Sequence, residues 1–169
     1  MPKPDPSSYP AYFKKYTDQV PEEDLFTSLD NQLPMIREFL SSIPEEKSSF
    51  AYGEGKWTLK ELLQHIIDTE RIFCYRALCF ARKEKASLPG FDENDYASHS
   101  HANERKWKEL VNEFLVVREG TTTLFNSFSA TALNSTGISD NNPITALAAG
   151  FIIVGHFYHH KKIMEERYL

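Results

Sequence analysis

A chain of 169 residues, 41% hydrophobic and 13% aromatic, is long enough for one domain with a sizeable core and lies outside the disordered range. Its net charge of −5 and isoelectric point near 5.7 come with no basic stripe, which argues against DNA or RNA binding. The two cysteines, Cys74 and Cys79, lack CxxC spacing and make no disulfide framework, so they are expected as reduced, buried residues of a cytoplasmic protein.

Residues 1–20 are Pro-rich and polar but carry Tyr9, Tyr12, Phe13 and Tyr16. That pattern suggests an N-terminal arm docked onto the body through its rings. The opening Met1-Pro2-Lys3-Pro4-Asp5-Pro6 has no apolar region and does not read as a signal peptide. Residues 21–169 read as a single domain.

Pro21-Glu22-Glu23-Asp24 suits the first turn of a helix. Leu25, Leu29, Leu33, Ile36, Phe39, Leu40 and Ile43 then follow the helical period, with a kink expected at Pro34 and an end at Pro44. Residues 45–57 read as a polar connector. Thr58-Leu59-Lys60-Glu61 has the form of a capping box, opening a second long helix that should run to about Lys85. Residues 88–103 read as a long loop with a helical turn at Asp92 to Ala97. A third helix is expected from Asn103 to Phe128, weakened by Gly120. Residues 129–142 read as a small, polar connection. Asn142 is placed as the cap and Pro143 as the first residue of a fourth helix that runs toward the C-terminus. No strand alternation persists and no repeat is found. The apolar run Ile144 to Gly155 is too short to span a bilayer. The fold class expected is all-α, a four-helix bundle whose facing side chains are free to build an internal site.

Chemistry concentrates in the second and fourth helices. His156 and His160 are spaced i,i+4, about 6 Å apart along one helical face. Two imidazoles so placed hold one divalent metal from the same side, and His65 is the candidate third ligand. Three neutral histidines with a fourth position open form a catalytic pattern rather than a closed structural one. A single histidine on an apolar face is ordinarily a hydrogen-bonded core residue, and His159 offers His156 a rival i+3 partner. Spacing alone does not choose between these arrangements. His99 and His101, in the polar loop, are expected to be solvated, with a lid role as the weaker reading. Asp68, at i+3 from His65, is the candidate to orient a ring or act in catalysis. Glu70 with Arg71 reads as a surface ion pair. Tyr75, Arg76 and Arg82 are polar groups available to an anionic substrate, although most such residues face water.

The segment Glu54-Gly55-Lys56-Trp57-Thr58-Leu59-Lys60-Glu61-Leu62-Leu63-Gln64-His65-Ile66-Ile67-Asp68-Thr69-Glu70-Arg71 resembles the second helix of the DinB/YfiT-like superfamily. So do Ala77-Leu78-Cys79-Phe80-Ala81-Arg82 and Leu88-Pro89-Gly90-Phe91-Asp92 after it, and Gly155-His156-Phe157-Tyr158-His159-His160 with Glu166-Arg167-Tyr168-Leu169 resemble that family's last helix. The likeness runs from about residue 22 to the C-terminus. It implies a four-helix bundle, a homodimer, and a divalent metal such as Zn²⁺ or Ni²⁺ on His65, His156 and His160, with His159 beside the site. It further implies a small-molecule substrate and thiol S-transferase chemistry with a low-molecular-weight thiol such as bacillithiol or mycothiol. The alternatives are a metal-dependent hydrolase on the same site and a non-catalytic dimeric metal-binding module. One fold hosts many chemistries, so the site must decide.

Overall fold

The stretches with helical apolar spacing become the longest helices of a computed structural model, which describes residues 1–169. In chain order the elements are α1 (Lys14–Thr17), α2 (Leu25–Ser41), α3 (Glu45–Ser48), α4 (Leu59–Ala81), α5 (Glu93–His99), α6 (Trp107–Asn126), α7 (Ala130–Leu133), β1 (Thr136–Ser139), β2 (Asn142–Thr145) and α8 (Ala146–Arg167). Helices α2, α4, α6 and α8 form a four-helix bundle.

The ends of these helices follow local chemistry. Asp24 caps α2 by accepting from the backbone N–H groups of Phe26 and Thr27, so the helix starts at Leu25 rather than Pro21. It runs unbroken through Pro34. Pro34 and Asp30 both lie on the exposed face, so water can reach the Asp30 carbonyl that Pro34 leaves without its helical donor. At α4 the capping box closes as its residues predict: Glu61 Oε2 accepts from Thr58 N at 2.7 Å and Thr58 Oγ1 accepts from Glu61 N at 3.2 Å. That helix stops at Ala81, with Lys83 in the left-handed region (φ 61°), short of the expected Lys85. Helix α6 begins at Trp107 rather than Asn103, and α3 occupies part of the expected connector.

The clearest departure lies between α7 and α8, where a two-stranded hairpin replaces the expected loop. Ser139 pairs with Asn142 across a two-residue turn, and its central residues Asp140 and Asn141 have φ of 50° and 60°. Asp and Asn tolerate that conformation better than other non-glycine residues. The strand pattern is invisible in sequence because β1 buries Gly137 and Ser139 and exposes Ile138, the reverse of apolar alternation. Gly137 is required there: a Cβ would lie 1.9 Å from the Phe80 ring. Pro143 therefore sits in a strand, and Thr145 rather than Asn142 caps α8, accepting from Ala148 N at 3.1 Å.

Round the bundle, α4 packs on α6 and α8, and α2 packs on the same two. The order is thus α2, α6, α4, α8, with α2 diagonal to α4 and α6 diagonal to α8. The core has two apolar halves. One holds Leu25, Leu29, Phe73, Phe125, Phe151 and their neighbours; the other holds Ile36, Leu63, Trp107, Phe114 and Met164. Between them lies a polar layer: Gln32 on α2, Glu70 on α4, and Arg118 and Thr121 on α6, all buried. The N-terminal segment lies against α8, burying Tyr9 and Tyr16 while Tyr12 is exposed. No helix is long and apolar enough to cross a membrane.

Candidate metal centre

His65 projects from the second turn of α4, and His156 and His160 from adjacent turns of α8, the most enclosed helix of the bundle. Their rings converge. His156 Nε2 lies 3.1 Å from His65 Nε2 and 3.0 Å from His160 Nε2. The candidate ligand atoms of the three side chains all fall within 4.8 Å of one another.

Hydrogen bonding alone does not account for this arrangement. A neutral imidazole nitrogen carries one proton or one lone pair in the ring plane. His156 Nε2 therefore satisfies one of its two close neighbours and leaves the other opposed. Two nitrogens bound to one tetrahedral ion at about 2.0–2.1 Å stand roughly 3.3 Å apart, close to the spacings seen. The donor set thus fits a divalent transition metal.

Electrostatics favours the free lone pairs that such an ion needs. Burial pushes the His65 imidazole down to about 4. Burial, then the neighbouring rings, hold His156 and His160 well below the ordinary histidine value. All three are neutral at physiological pH, as metal ligation requires. The Nδ1 of His160 is buried without a hydrogen-bond partner.

Two aromatic residues frame the cluster. Trp57 tilts over His65 at 4.9 Å between ring centroids, and Tyr16 meets His156 and His159 edge-on, each at 5.2 Å. The rings open into a cavity of about 470 Å³, walled by the N-terminal segment, α4, α8, the residue 90–93 stretch and the hairpin.

Other candidate residues are placed elsewhere. His159 points beside the cluster, with Nδ1 at 3.4 Å from Gln19 Nε2. Asp68 accepts from Gln64 Nε2 at 2.9 Å and lines a separate cavity with Arg71, Tyr96 and His99. His99 and His101 are exposed, near Asp95 and Glu104 respectively. Glu70 is a correction: it is 2% exposed and pairs with Arg118 of α6, whereas Arg71 reaches Glu113. Tyr75 and Arg82 face solvent, while Arg76 is buried in the cavity wall. Sequence reasoning did not single out Tyr16, Trp57, Thr69 or Ser139 as lining residues. Only Thr69 carried a signal, sharing the His65 face at i+4.

Known proteins share the family and the fold of this chain. Residues 28–164 match the family model of the DinB superfamily. A protein of Oceanobacillus iheyensis, named as a candidate metal-dependent hydrolase, is 27% identical over 110 residues, spanning 58% of this chain and 64% of that protein. The match thus covers just under two thirds of that relative's length. YfiT from Bacillus subtilis, described as a candidate metal-dependent hydrolase with an unusual four-helix bundle topology, superposes with a TM-score of 0.74 at 15% identity, over 90% of this chain and 86% of that one. A mycothiol-dependent maleylpyruvate isomerase superposes with a TM-score of 0.69 at 13% identity, over 86% of this chain and 61% of that one. At these identities the two structures speak for the fold.

Proposed function

The chain belongs to the DinB superfamily, and from that premise we propose that it is a metal-dependent enzyme acting on a small electrophilic molecule, with His65, His156 and His160 as the metal ligands. The observation that carries this reading is the double approach of His65 and His160 to one nitrogen of His156 in a buried setting. A divalent ion such as Zn²⁺ or Ni²⁺ held by these three rings would supply Lewis acidity, lowering the pKa of a thiol or water bound to it.

The chain's own residues do the rest. The three rings present neutral donors from two rigid helices, so little reorganises on binding. Trp57, Phe13 and Phe73 line the cavity beside them and keep water away from the reacting end. Asp68 is held by Gln64 outside this cavity, on the wall of the neighbouring one.

Thiol transfer is the leading reaction class, with a low-molecular-weight thiol as co-substrate; the name of the mycothiol-dependent neighbour supports it. Hydrolysis is the second reading, supported by the names of the two bacterial relatives. Metal analysis of the purified protein, followed by turnover assays with and without a thiol panel, tests both. Stoichiometric metal retained in the His65→Ala, His160→Ala double variant would remove the ligand assignment. Turnover indifferent to every thiol would move the assignment to hydrolysis. A homodimer and a cytoplasmic setting complete the proposal, and gel filtration at micromolar concentration checks the former.

A further inference from the structure

The cavity has a second pole, away from the histidines. Along α4, Thr69, Phe73 and Arg76 follow His65 at offsets that keep them on one helical face, and all line the cavity. Arg76 stands about 16 Å along the axis from His65, which leaves room for a small molecule between the two side chains.

Arg76 is 7% exposed and makes no salt bridge: the Asp140 carboxylate bears on it only from beyond ion-pair distance, and burial still pulls the guanidinium below its ordinary value. Its one hydrogen bond runs from Nη2 to the Pro89 carbonyl, at 2.8 Å. The Phe73 and Phe91 rings flank the guanidinium at 5.1 and 5.8 Å. A buried cation whose one nearby acid stays beyond ion-pair distance is costly and is retained where something supplies the missing partner. Ser139 of the hairpin lines the same cavity, and its strand bridges to Leu88, the neighbour of Pro89. The Ser139 hydroxyl and the Thr69 hydroxyl, midway along the face, are both more than nine-tenths buried and have no hydrogen-bond partner. Two acids, Glu93 and Asp140, also border the cavity, but both are solvent-exposed at its mouth. The unsatisfied hydroxyls inside are free to donate, and of the two exposed acids only Asp140 bears on Arg76, without reaching it.

We propose that Arg76 and Ser139 form an anion subsite that takes the carboxylate of a small, largely apolar carboxylic acid, with the acid's reacting end directed past Thr69 toward the three histidines. The guanidinium fork matches a planar carboxylate in bidentate fashion, and the Phe73 and Phe91 rings pack against it. This rests on the cavity being the active site of the proposed metal-dependent enzyme.

The test uses matched acids and amides: acetate, benzoate, phenylacetate and cinnamate against their primary amides. Binding is measured by calorimetry to metal-loaded and to chelator-treated full-length protein, with metal content determined in parallel. The wild type should bind at least one acid tenfold or more tighter than its amide. Arg76→Gln should bring the pair to within twofold while leaving metal content unchanged. Should Arg76→Gln fail to fold by circular dichroism, Ser139→Ala carries the test, with a threefold or greater loss for the acid alone; an unaltered preference there overturns the proposal. A preference that survives in Arg76→Gln but disappears on chelation places the carboxylate on the metal and overturns it as well. So does a wild type that distinguishes no pair. If the protein takes up no metal yet Arg76→Gln still erases the preference, the subsite stands and the metal assignment falls.

Discussion

The Glu70 carboxylate accepts from two nitrogens of Arg118, Nε at 2.8 Å and Nη2 at 2.7 Å, midway along the bundle. Neither side chain is more than 2% exposed. Thr121 Oγ1 donates to the same carboxylate at 2.6 Å, Gln32 Oε1 accepts from Arg118 Nη1, and Gln32 Nε2 donates to the Val154 carbonyl at 3.0 Å. One polar layer therefore ties all four long helices together, two residues before His156. Removing one charge strands the other: Glu70→Gln or Arg118→Met should cost about 3–5 kcal/mol in urea unfolding. Glu70→Leu with Arg118→Met should recover much of that loss, because no uncompensated charge then remains. A double variant as unstable as the sum of the singles would contradict this account.

At Gly155 the N-terminal backbone comes closest against α8. A Cβ there would lie 2.1 Å from the Tyr16 carbonyl oxygen, a backbone atom that cannot turn aside. Gly155→Ala should push Tyr16 off His156 and open one wall of the cavity. The helix itself would tolerate alanine better than glycine, by about 1 kcal/mol. We expect faster proteolysis near residues 10–20 together with weaker metal retention. An alanine variant matching the parent on both measures would show that the contact is dispensable.

Metal binding to the folded chain alone stabilises it by mass action. At free metal 100-fold above the dissociation constant the gain is about 2.7 kcal/mol, or on the order of 5–10 °C in Tm for a chain of this size. A chelator should remove that gain from the parent and have no effect on His156→Ala, which loses the shared central nitrogen. An equal chelator effect on both proteins would rule out the cluster as the binding site.

The metal-free protein should be acid-sensitive. In the fold, burial holds His65 down at about 4, against 6.5 for the ordinary side chain. Between those values the unfolded chain binds a proton that the folded chain excludes, so stability rises with pH. The contribution is complete above pH 6.5 and is lost as pH falls toward 4. For His65 it is on the order of 3 kcal/mol. Chelator-treated protein unfolded in urea at pH 7.5, 6 and 5 gives the slope, and His65→Ala should make it shallower by one histidine's share, with His156 and His160 supplying the rest. Identical slopes for the two proteins would refute the assignment.

The local rules were legible in the residues themselves. The Thr58–Glu61 cap, the apolar period of the long helices and the i,i+4 pair on α8 need only neighbours a few positions away, so the bundle and two of the three converging histidines could be read directly. Spacing alone left His159 and His160 as rival partners of His156; the family resemblance implied His160, and the packing of α8 on α4 turns that face toward His65. Glu70 looked like a surface residue because Arg71 stands beside it, while its real partner, Arg118, lies on another helix. The hairpin escaped notice because its buried positions are Gly137 and Ser139, chosen to admit Phe80 and to face the cavity rather than to alternate in hydrophobicity. Short-range periodicity and capping thus determined the helices. Which of their side chains meet, around what space, was decided by the order in which the helices pack, since contacts between residues distant in sequence leave no periodic trace.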